Sequence, residues 1–310
     1  MFVPLNLGYK ILNIFVEKKD INQIILYNKT QVLIKEKDNI TKKEIKDFFS
    51  VSNPFYVIYD KMGSKIDLYY YNNLVTSFNS FHNFPRVLGS FLLLLSSDMM
   101  NVKVFSIKSM KEIFNVSTKD FITSFASSEN GKYLLIGDMN SDIYVYRENE
   151  SPFKFSIKAS KINYIRGLYI DNYGNFVGVG GIYPDIVFKG NVNNVKKIDF
   201  FSIASLPRRG ISLKLLGDDF LVEGEDYFYL YIRGEIFSFK KKGSFIDFLP
   251  GKNKGEYILV ENKNREYFIR LLSLSKTVYT IQIASDFLPF IYNKDGKPYV
   301  YFYDFGVVTW

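Results

Sequence analysis

The chain has 310 residues, 47% of them apolar and 18% aromatic, a globular composition with ample length for a large buried core. It contains no Cys and a single His, His82, which excludes disulfides, thiol nucleophiles, Cys-ligated zinc and iron–sulfur clusters, and leaves any catalytic triad or His-rich metal site with one imidazole to build on. The formal net charge is +8, but the basic clusters Lys18-Lys19, Lys42-Lys43, Lys196-Lys197, Arg208-Arg209 and Lys240-Lys241-Lys242 are scattered, so the expected reading is a solvated surface of a basic protein rather than a nucleic-acid stripe.

Phe, Tyr, Ile and Val are abundant and there are only four Ala, which favours strands over helices. Residues Met1 to Gly8 lack a basic stretch leading into an apolar one, so no secretory signal is read there. The apolar run Phe91 to Leu95 falls far short of the roughly 20 residues of a membrane span, so no transmembrane segment is expected. A cytoplasmic location is expected, with the envelope or periplasm as the alternative for a chain trimmed of its leader.

In chain order, Tyr9 to Phe15 reads as a spare strand, and a weak hairpin follows at Ile24 to Tyr27 and Gln31 to Ile34. Thr41 to Phe49 reads either as a short helix, capped by Thr41 with Glu44 three residues on, or as an outer strand. One pattern then recurs: an apolar strand, a short polar turn often holding Asp, and an alternating strand. It appears at Phe55 to Asp60 with Ile66 to Tyr71, at Phe91 to Leu95 with Val102 to Ile107, and at Lys132 to Asp138 with Asp142 to Tyr146. It returns at Phe176 to Gly180 with Asp185 to Phe188, at Phe220 to Glu223 with Tyr227 to Tyr231, at Tyr257 to Glu261 with Tyr267 to Arg270, and at Tyr299 to Asp304 with Val307 to Thr309.

The first strands end at 60, 98, 138, 180, 223, 261 and 304, in steps of 38 to 43 residues. Each hairpin has an outer run after it, such as Lys111 to Val116, and an inner run before it, such as Phe121 to Phe125, Ile211 to Leu215 and Phe287 to Phe290. Glu129-Asn-Gly131 and Lys294-Asp-Gly296 supply the positive φ of tight turns between inner run and hairpin. A period of about 40 residues carrying four short strands is the mark of a β-propeller. The expectation is therefore an all-β fold with residues 1–310 as one propeller domain of six to eight blades. Seven are favoured, because the first strand of the weak hairpin ends at Tyr27, only 33 residues before the first of these ends at 60. The N-terminal strand is expected to close the last blade. Two stacked sheets are the alternative architecture, and they have no reason to keep a four-strand period.

The copy Glu129 to Tyr146, ENGKYLLIGDMNSDIYVY, resembles the blades of WD40-like and quinoprotein-like propellers, with the Gly-His and Trp-Asp dipeptides of WD40 repeats absent. That resemblance implies a platform for protein interaction.

Among candidate sites, Asp138, Asn140 and Asp142 alternate oxygen ligands as calcium loops do, but lack the Gly and distal Glu of an EF-hand, so a polar turn is expected. Arg86, Arg166, Arg208 and Arg209 lie just before inner runs. They are the candidate ligand- or partner-binding residues, forming part of a basic ring at the channel mouth, or else pairing with Asp120 and Asp286 between blades. His82 reads as a loop residue, and aromatic runs such as Tyr69 to Tyr71 as core. Gly178-Val-Gly180-Gly181 reads as a strand interior under close backbone approach. The expected function is a non-catalytic scaffold for protein–protein interaction within a complex, needing no cofactor or metal. The alternatives are a channel-mouth binder of an anionic ligand or of nucleic acid, and a propeller enzyme.

Overall fold

The hairpin strand Phe91–Leu95 is apolar at every position, and all five of its side chains are buried. A strand reads that way only when both faces of its sheet are covered. Its counterparts Tyr133–Asp138, Asn175–Gly180 and Asp219–Glu223 are buried almost throughout, whereas outer strands such as Phe153–Ser156 alternate between half-buried and exposed. Sheets covered on both faces and solvated at one edge must stand radially around an axis.

The computed structural model describes residues 23–309 apart from 38, 61, 81–83, 158–163, 182–184, 204–210, 275, 295–296 and 304–305. Among the described residues there are thirty strands and no helix. They form eight antiparallel sheets, at 23–44, 48–79, 84–117, 122–156, 165–203, 213–240, 244–284 and 290–309. The first and last have three described strands and the six between have four, each sheet in simple sequential order. Eight apolar clusters fill the eight gaps between neighbouring sheets. One of them joins Ile24, Leu26 and Leu33 of the first sheet to Tyr299, Tyr301 and Val307 of the last, so the ring is closed. The protein is an eight-bladed β-propeller.

Eight lies inside the expected range, but the favoured seven undercounts. The weak hairpin at 24–34 is a blade, with strands Gln23–Tyr27, Gln31–Glu36 and Asn39–Glu44. Its spacing is short because its connections are short, as at 28–30 and 45–47. The inner edge of Gln23–Tyr27 meets side-chain and backbone groups of the neighbouring blades. The Asn53 side chain accepts from the Ile25 amide at 3.0 Å and donates to the Ile25 carbonyl at 2.7 Å, and the Leu288 amide donates to the Tyr27 carbonyl at 3.1 Å.

Thr41 to Phe49 is not a helix. It contributes the outer strand Asn39–Glu44 and the start of the next inner strand, Phe48–Ser52. Its side chains alternate with period two, and Lys43 reaches the Tyr56 hydroxyl at 3.0 Å. The last inner strand is Phe290–Lys294 rather than 287–290, because Phe287 is buried in the connection leading to it. The Tyr9 to Phe15 strand lies outside the described residues.

The glycine-rich strand of the fifth blade is approached by a ring, not by backbone. Gly178 faces its cross-strand partner Phe188, whose ring would stand 2.2 Å from any added Cβ. Gly178→Ala should therefore cost about 1–3 kcal/mol by overpacking, measured as a lower denaturation midpoint at unchanged slope.

Successive strands run antiparallel, so the turns after each second strand share one rim with the connections between blades. The remaining turns share the other rim. The first rim is called the upper face below.

Candidate docking surface

The turns after the second strands of the second, third and fourth blades each carry a methionine at the surface, Met62, Met99 and Met139. The starts of the same blades' inner strands each carry an exposed phenylalanine, Phe48, Phe84 and Phe121. All six side chains are between 39% and 64% exposed, and all lie on the upper face. Four of the chain's six methionines, with Met100, sit in these turns. Isolated exposed apolar residues are ordinary on a protein surface, but a run of them marks a contact surface. Methionine suits such a surface, because its flexible thioether fits irregular partners.

The turns are built by aspartates. The Asp60 carboxylate accepts from the Ser64 amide at 2.8 Å and the Ser64 hydroxyl at 2.6 Å. Asp98 accepts from the Met100 amide at 2.8 Å and from the Ser96 hydroxyl. These hydrogen bonds, led in both cases by the serine hydroxyl, hold the Asp60 and Asp98 carboxyls below their ordinary range. Backbone bonds stitch the turns together, from Ile122 N to Met99 O at 2.8 Å and from Met139 N to Phe121 O at 3.0 Å. Met99, Phe121 and Met139 therefore form one rigid ledge. On the other side, the Ser50 and Ser52 hydroxyls accept the Val87 and Gly89 amides at 3.2 and 2.9 Å, joining the inner strands that begin with Phe48 and Phe84. Met99 holds φ at 58°, a conformation that costs a side-chain-bearing residue about 1–2 kcal/mol.

Asp138, Asn140 and Asp142 build a turn of the same kind and do not converge on a cation. Asp138 accepts the Asn140 and Asp142 amides, both at 2.9 Å, while Asp142 faces Lys154 at 3.0 Å and the Ser156 hydroxyl. Burial pushes the Asp138 carboxyl above its ordinary value, against the pull of its two amide donors. For an acid this means the neutral form is favoured by folding. The associated stability is present at low pH and is lost as pH rises through the raised value. Asp138→Asn should thus be at least as stable as the parent at neutral pH, with the difference vanishing in acid. Asp138→Ala should cost about 1–3 kcal/mol by leaving two amides unpaired. Thermal unfolding at pH 3 to 8 reads all three proteins.

Of the four candidate arginines, two are described, and they take different neighbours. Arg86, in the inner strand Phe84–Leu88, is exposed beside the apolar arc and lies 5.8 Å from the Phe125 ring. Burial raises the Tyr59 hydroxyl, and Arg86 pulls partly against that shift. Arg166 turns back on its own blade, donating to the Gly181 carbonyl at 3.3 Å. The acid at the inner strands, Asp247, is held by Lys214 at 2.5 Å, and Asp286 is held by Arg265 at 2.8 Å rather than by a channel arginine. Arg208, Arg209 and His82 lie outside the described residues.

The methionine arc was not anticipated from the sequence, although a signal was there. Methionine is out of place in a polar turn, and Lys61-Met62, Asp98-Met99-Met100 and Asp138-Met139 repeat that oddity in three successive units.

No known family signature matches the chain, and no curated protein matches it in sequence. Solved structures share its architecture. BamB from Moraxella catarrhalis superposes at a TM-score of 0.58 with 10% identity, over 94% of each chain. The dihydro-heme d1 dehydrogenase NirN, in complex with DHE, superposes at 0.55 with 13% identity over 84% of this chain, which spans 62% of that one. Kuenenia stuttgartiensis hydrazine synthase superposes at 0.53 with 11% identity, over 84% of this chain and 94% of that one. At these identities the likeness establishes the fold, and the fold hosts both enzymes and other proteins.

Proposed function

We propose that this propeller is a non-catalytic platform that docks a partner protein across the upper face of its second to fourth blades. The observation that carries the reading is the repeated pairing of Phe48 with Met62, Phe84 with Met99 and Phe121 with Met139 on one rigid rim. Completing the burial of a half-exposed Phe or Met contributes about 1 kcal/mol, so six engaged together supply a useful share of a binding free energy. Arg86, an exposed residue, sits beside the arc and suits a carboxylate or carbonyl at the edge of the contact. Interfaces favour this mixture of aromatic, Met and Arg.

The test is a photo-crosslinking residue placed at Met99, and separately at Tyr173. Among the described residues Tyr173 is the most exposed aromatic, and it lies on the lower rim. A single protein partner captured in cells from position 99 and not from 173 supports the reading. Equal capture from both positions, or from neither, refutes it.

A further inference from the structure

On the same upper face, away from the arc, the connection Lys241-Lys242-Gly243 between the sixth and seventh blades is pinned from below by two glutamates. Glu261 is fully buried, and one of its oxygens accepts the Lys242 amide at 2.5 Å and the Gly243 amide at 3.0 Å. Its other oxygen pairs with Arg270, also buried, at 2.9 Å. Glu223 takes the Lys241 ammonium at 2.7 Å and the Phe245 amide at 3.3 Å. Gly243 admits no side chain, since a Cβ there would stand 2.4 Å from the Asn262 carbonyl oxygen. Burying charge in this way is costly, and here it fixes the course of a basic loop.

Above the pinned loop is an open cavity of about 430 Å³. Lys242, Lys263, Ser244 and Asn264 line it with Lys241, and no carboxylate does. Lys241 is committed to Glu223. Lys242 has an aromatic neighbour, Phe268 at 5.6 Å, and among the described residues neither it nor Lys263 has an acidic partner within salt-bridge distance. Two ammonium groups with a hydroxyl and an amide make a donor set, matched to a compact oxyanion with several acceptor oxygens.

We propose that this cavity binds a phosphate group, held by Lys242 and Lys263 with Ser244 and Asn264 as neutral donors. The site shares no residue with the apolar arc, so it stands or falls independently of the docking reading.

The experiment is a calorimetric titration with inorganic pyrophosphate and, separately, with a phosphoserine peptide, at ionic strength matched with sodium chloride. Lys242→Gln/Lys263→Gln is the test variant, since both lysines are exposed and their loss leaves the buried network intact. Saturable binding that the double variant weakens about tenfold or more, and that Met99→Ser leaves unchanged, is the expected result. Tighter binding of the peptide assigns the phosphate to a partner protein, and tighter binding of pyrophosphate assigns it to a free ligand. Absence of saturable binding to either, or equal binding by parent and double variant, overturns the proposal.

Discussion

Arg270→Met is expected to destabilise the protein by about 3–5 kcal/mol, read as a fall in the denaturation midpoint. The substitution keeps the bulk of the side chain and removes its charge, leaving the Glu261 side chain without its ion partner and with no exposure to water. It also breaks two further links. Arg270 donates to the Lys240 carbonyl at 2.9 Å, bracing the seventh blade against the sixth, and to the Thr277 hydroxyl of its own blade at 2.8 Å. The double variant Glu261→Gln/Arg270→Met should recover much of the loss. Gln retains an oxygen for the Lys242 and Gly243 amides, the buried charge is gone, and the Arg270 Nε, buried without a hydrogen-bond partner, is gone with it. A single variant within 1 kcal/mol of the parent would show that the pair is not desolvated as the structure has it.

The second large effect is on binding. Met62→Ser/Met99→Ser/Met139→Ser should weaken capture of the upper-face partner by about a hundredfold or more, while leaving the folding midpoint close to the parent's. The three side chains are substantially exposed, so their removal opens no cavity, and the turns remain held by Asp60, Asp98 and Asp138. Met99→Gly separates the two quantities further. It relieves a left-handed backbone and should raise stability by up to about 1 kcal/mol while lowering affinity. If the serine variant binds as tightly as the parent, the arc is not the contact. If Met99→Gly unfolds the protein, Met99 is structural and its exposure has been misread.

The repeat was legible because it is local. Strand composition, Asp-containing turns and a four-strand period are properties of consecutive residues, and a strand such as Phe91–Leu95 announces burial on both sides by its own composition. Charge patterning was less informative. Arg86 and Arg166 read as lying just before inner strands and lie within them, and one lies by Phe125 while the other bonds the Gly181 carbonyl, partners that no spacing rule supplies.

By itself, then, the sequence determined that this is an all-β ring of four-stranded units with no cysteine chemistry available. Only the tertiary structure decided that the short-spaced hairpin at 24–34 is an eighth blade, because closure rests on Tyr27 meeting Leu288 and on the first sheet packing against the last, some 260 residues along the chain. It alone also decided that three methionine turns and three phenylalanines share one rim, and that Glu261 and Arg270 are sealed beneath a lysine loop. The physical reason is that strand formation follows from neighbours in sequence, whereas a surface or a buried ion pair is defined by which blades the ring brings side by side.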